Sequence, residues 1–344
     1  MQNTRYFLFL WVILILIGTA AFIGCEQETT MPEEESGTTK QPTNVEIVQE
    51  SGKTVYWVLP GKRRISKQVF GTPQNPQMGQ QLLQLRIQEA GNLPDPLGTN
   101  VQQLLRDLPF LVALPETLRE VNADSTAYTQ TTVKLPFGNN QAKIVSGSLR
   151  VVYKDRQRYD QPGDPTQTLD SVDVSTQFQD PAGNEYEVKV KKVLQPPIPG
   201  YQTAGGVMTN AFHHGITGTG SPLMPEVYTY GAVWSIGDLY INGSLADENK
   251  LVHVMTTQVI RAADYQLALD EELPLALSNT IAGQPHHTHL MILPIKVTSQ
   301  GPKMEPIKTA FTLPNGEKQP FIHVMFEQDS IANAPYEILA KPAW

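Results

Sequence analysis

DSVDVSTQFQDPAGNEYEVKVKK, Asp170 to Lys192, decides the fold class through its period. Val172, Val174, Thr176 and Phe178 recur at every second position. After DPAGN the alternation resumes, with Tyr186, Val188 and Val190 between Glu185, Glu187, Lys189 and Lys191. Side chains of a strand point to opposite faces in turn, so this pattern predicts a hairpin with one apolar and one wet face.

The same reading extends in both directions. TVYWVLP (54–60) is expected as a first strand, and QLLQLRIQ (81–88) as another, with helix as its alternative. Asn242-Gly243 after DLYI and Asn315-Gly316 before PFIHVMFE are hairpin-turn pairs, because both central residues of such turns need positive φ. The helical signal is small. Val101, Leu104, Leu105 and Leu108 fall at i, i+3, i+4 and i+7, with Thr99 or Asn100 as cap, and PETLREV (115–121) is expected to add a short turn. The fold class expected is mainly β: an antiparallel β-sandwich or open barrel with a minor helical insertion near residues 100–121.

A chain of 344 residues with 40% hydrophobic and 17% charged content can bury a large core, as one domain or two. Residues 195–225 are rich in Gly and Pro, and read either as a linker between two β units or as a functional loop carrying His213 and His214. The formal charge is -8, which argues against nucleic acid as a partner, since phosphate binding takes a concentrated basic face. Lys62, Arg63, Arg64 and Lys67 form the one small basic cluster and read as a solvated turn.

The N-terminus reads MQNTRYFLFLWVILILIGTAAFIGC. An uncharged, mostly apolar run from Tyr6 to Ile23 follows Arg5, and small residues lead into Cys25, the single cysteine of the chain. This segment resembles a bacterial lipoprotein precursor, with Phe22-Ile23-Gly24-Cys25 as its lipobox; Phe22 stands where Leu is usual. The resemblance covers the first 25 residues only. It implies a signal peptide over 1–24 and acyl chains, palmitate among them, on Cys25, which would attach the protein to a lipid bilayer facing the periplasm. An uncleaved signal anchor is the alternative. Glu26 is not the Asp of an inner-membrane retention signal, so the outer membrane is compatible and the inner membrane stays open. Residues 25–45 are acidic, rich in Thr and poor in large apolar side chains, the composition of a disordered tether before a domain over 46–344. One thiol in an oxidising compartment builds no disulfide framework.

The stretch PHHTHLMILP (285–294) holds three of the seven histidines, all of which lie at or beyond residue 213. On a strand, His287 and His289 share a face with Met291, their Cα atoms about 6.6 Å apart, while His286 points away. Two imidazoles so placed can meet one ion, with a third ligand expected from His253 in KLVHVMTTQ, His323 in PFIHVMFEQ, or His214. Imidazole suits zinc or copper; thioethers from Met255 and Met325 would favour copper, and zinc is the choice if those methionines pack in the core. A His beside Val and Met in a strand is also an ordinary packing residue, and no H-E-x-x-H signature is present.

Other motifs are absent. GITGTGSP is not a dinucleotide fingerprint, and the sequence has no P-loop and no G-x-S-x-G elbow. Asn242-Gly243-Ser244 fits a sequon but is better read as a turn, and Asp270, Glu271 and Glu272 as a solvated turn rather than calcium ligands. Three functions remain: a membrane-anchored binding lipoprotein taking a small ligand or metal ion, a zinc or copper metalloenzyme with Glu327 as general base or as support to a ligand, and a structural surface protein.

Overall fold

The computed structural model describes residues 43–58, 61–77, 114, 116–134, 141–156, 169–194, 206–217, 223–281, 285–299, 301–335 and 338. The segment expected as signal peptide, Cys25, the segment 81–88 and the helix expected at 101–108 lie outside them. All described residues belong to one unit, Lys40–Trp344.

The strands in chain order are β1 (Thr43–Trp57), the short β2 (Gly71–Thr72), β3 (Asn75–Pro76), β4 (Arg119–Val121) and β5 (Tyr128–Thr131), then β6 (Ala142–Asp155), β7 (Ser171–Gln179), β8 (Glu185–Val193), β9 (Val207–His213), β10 (Val227–Ile241), β11 (Ser244–Gln258), β12 (His286–Thr298), β13 (Gly301–Met304), β14 (Ile322–Phe326) and β15 (Ser330–Asn333). The mainly β, antiparallel reading holds. Hydrogen bonding runs β11-β10-β8-β7-β6-β1-β14-β12, and β12 pairs again with β11, so the eight strands named form a closed ring. Closure leaves no unpaired edge along this path.

The hairpin that began the sequence reading forms as β7 and β8, with Phe178 opposite Tyr186 and Thr176 opposite Val188. Their rings stack at 5.3 Å in the interior. Asn242 and Gly243 take φ of 49° and 77° and join β10 to β11, as the turn chemistry required. Asn315-Gly316 makes only a small turn, closed by the Thr312–Lys318 bridge. β1 begins at Thr43, inside the stretch expected as tether, because Val45 is fully buried.

Every ring strand sends apolar side chains inward, among them Ile47, Val151, Phe178, Val188, Leu239, Val254, Leu290 and Val324. The barrel interior is therefore a packed core. In β1 a bulge between Gln49 and Gly52 moves the inward set from Val45 and Ile47 to Tyr56, a change of parity that an unbroken strand cannot make. Gly231 lets β10 approach Tyr153, since a Cβ there would stand 2.3 Å from the ring.

Two expectations are corrected. Strands on both sides of 195–225 share one sheet, so this segment does not join two β units, and it contains β9, paired with β10. In the cluster at 62–67, Lys62 and Lys67 are exposed as expected, but Arg63 is not part of a solvated turn: it is fully buried and its Nη1 reaches the Met224 sulfur at 3.1 Å. Glu271 and Glu272 hold that segment in place, while Asp270 accepts from the Glu226 amide. Glu271 accepts from Ser66 Oγ and the Gln68 amide, and Glu272 pairs with Arg64.

Candidate functional site

β12 lies between β11 and β14. His289 stands opposite Met255 on one side and Met325 on the other, while Met291 stands opposite His253 and His323. Directly opposed residues of an antiparallel pair share a face. The two His-Val-Met segments therefore flank β12 in equivalent registers. They place His253, His287, His289 and His323 on the outer face of the barrel, where the flanking Met255 and Met325 pack against Ile260, Leu267, Tyr265 and Ile281 of the segment after β11.

Three of these rings form a row. His289 Nε2 lies 2.9 Å from His287 Nε2, and His289 Nδ1 lies 2.8 Å from His323 Nε2. Each bond needs one nitrogen to donate and the other to accept, so neutral His289 donates along one and accepts along the other. All three residues are buried. Burial, and then the charges of Arg261 and His286, push His287 down to about 3. Burial, followed by its histidine neighbours and Arg261, holds His289 well below the ordinary imidazole range. Neutral imidazole is the form that ligates a metal.

The remaining histidines take other places. His253 Nδ1 bonds the Val233 carbonyl at 2.8 Å and its ring stacks on Trp234 at 4.2 Å. Burial lowers it to about 4, with the carbonyl acting in the opposite direction. His214, at φ 66°, follows β9 and meets His213 edge to face at 5.7 Å. The row thus takes His323 as its third member, rather than His253 or His214. His286 turns to the interior, where Nδ1 lies 3.1 Å from Asp329 Oδ1. Asp329 also accepts from Thr288, which joins Thr256 and Tyr153 in a hydroxyl chain.

The row is not a ready-made tetrahedral site. Among the described residues, no group of three or more His, Cys, Asp or Glu stands arranged around one ion. The reason is local: His289 meets its two neighbours with opposite edges of one ring. Bonds of 2.0–2.1 Å at a tetrahedral angle set ligand nitrogens about 3.3 Å apart. His287 and His289 Nε2 are already within a few tenths of an ångström of that separation, while His323 Nε2 would reach the same ion only after the His289 ring turns. Met325 packs with Val55 and Trp57, and Met255 with Val227 and Ala232, so both thioethers serve the packing. Glu327 Oε2 is engaged by Lys53 Nζ at 2.8 Å.

Sequence patterns missed three residues on or behind this face. Arg261 has no exposed surface, and burial lowers it to about 9. Trp57 carries Arg261 over its ring at 3.9 Å and stacks on His323 at 5.7 Å. Asp329 binds His286 from behind. A lone Arg in an apolar run, VIRAADY, was the only local signal for any of them. No protein-family model matches the chain, and no curated protein or solved structure matches it.

Proposed function

We propose that this chain is an exported lipoprotein, held at the cell envelope through acylated Cys25, whose barrel binds a transition-metal ion at His287, His289 and His323. The observation that carries the metal reading is the buried row of three imidazoles on one barrel face, two of which burial holds neutral, His287 and His289. Zinc is preferred over copper because Met255 and Met325 are spent on packing. Binding without catalysis is chosen over a metalloenzyme because Glu327, the residue read as general base, is tied to Lys53. The support for the membrane assignment is the lipobox-like Phe22-Ile23-Gly24-Cys25; two acyl chains on Cys25, at about 0.8 kcal/mol per buried CH2, would then anchor the domain stably.

Metal analysis of protein purified without a histidine tag tests the site. One zinc per chain is expected, lost in His287→Ala and in His289→Ala and retained in His286→Ala, whose ring faces Asp329. Equal loss in all three variants, or no metal in the wild type after zinc is supplied, would overturn it.

A further inference from the structure

Arg261 lies in the segment after β11, which packs on Met255 and Met325. Its Nη1 donates to the Tyr265 carbonyl at 2.8 Å, and its guanidinium lies 3.9 Å over the Trp57 ring. Nε and Nη2 have no hydrogen-bond partner, and among the described residues no carboxylate pairs with it. Those two nitrogens share one edge of the guanidinium. Their N–H bonds run parallel and match the two oxygens of a carboxylate. A buried cation without counter-charge is costly, and a cation–π contact offsets only part of that cost. Trp57 Nε1 and His287 Nδ1 are further buried ring nitrogens without partners.

We propose that Arg261 binds a small monocarboxylate, held by both oxygens on Nε and Nη2 with its short apolar body against Trp57 and Tyr265. A monocarboxylate is the class indicated because Nε and Nη2 of Arg261 offer one bidentate edge. Two other cations stand nearby: buried Arg63, whose charge and that of Arg261 oppose each other, and Lys53, which stands 5.2 Å over the Tyr265 ring and is paired with Glu327. Arg261 is enclosed, so the ligand enters as the segment after β11 moves, and its binding is read as stabilisation of the closed form. The site does not depend on a metal in the histidine row.

Thermal unfolding of the full chain after chelator treatment tests the proposal, with acetate and propionate titrated against chloride at matched ionic strength. A saturable rise in Tm with either carboxylate is expected in the wild type. Arg261→Lys should need about tenfold more ligand, since an ammonium cannot offer the parallel pair, and Arg261→Met should show no rise beyond that in chloride. No carboxylate-specific rise in the wild type, an equal rise in Arg261→Met, or a rise with phosphate but not with carboxylates would each overturn the proposal. Should Arg261→Met fail to fold, an unchanged midpoint in Arg261→Lys would do the same. A parallel zinc titration separates this result from the metal reading, because either can fail while the other stands.

Discussion

His289 bonds His323 diagonally across β12 and β14, Nδ1 to Nε2 at 2.8 Å, although the residue directly opposite it is Met325. The diagonal contact joins two strands in one row, whereas His287 and His289 alone would make a pair on one strand.

If that diagonal completes a zinc site, His323→Ala should weaken zinc binding by about tenfold or more, while Met325→Leu, a volume-conserving change in the packed cluster, should leave it within a factor of about two. Competition with a chromophoric chelator measures both. The reverse order of effects would place the thioether in the site and favour copper.

Stability should fall with acid in the metal-free protein. His213, which faces His253 and His214, and His253, which faces the Val233 carbonyl and Trp234, are lowered by burial to about 3 and about 4 from 6.5. A lowered folded-state value means that the unfolded chain binds more protons between the two values. The stability is therefore fully present above about pH 6.5 and is lost as pH falls toward 4 and 3, at up to about 1.4 kcal/mol per pH unit for each group. Urea midpoints at pH 7.5 and pH 5 should show the lower value at pH 5, and a flat profile would show that these rings charge freely.

Gly231→Ala should destabilise the barrel by about 1–3 kcal/mol, because the new Cβ would stand 2.3 Å from the Tyr153 ring and the core has no slack to absorb it. Denaturant unfolding measures the loss. Pairing it with Tyr153→Leu should recover part of it, whereas a fully additive double variant would point away from this contact.

For the N-terminus, Cys25→Ser should abolish labelling by a radioactive fatty acid and leave either the precursor or a form released into the soluble fraction. Processing at Gly24 together with continued detergent partitioning would contradict lipid attachment at this residue.

The hairpin of β7 and β8, the Asn242-Gly243 turn and the shared face of His287 and His289 were legible locally, because period and turn chemistry act over a few residues. The predicted first strand was also found, although Val45 draws its start back to Thr43. Ring closure was not legible, since β12 meets β11 and β14 through registers set by the whole core rather than by any short pattern. The same cause hid the third histidine: His253 and His323 carry the same His-Val-Met pattern on either side of β12, and only packing turns His323 to His289 and His253 to Val233. Arg261, Trp57 and Asp329 were silent for a related reason. Their significance lies in what stands next to them after folding, and a sequence records residue types without recording which charges and ring nitrogens tertiary packing has removed from water.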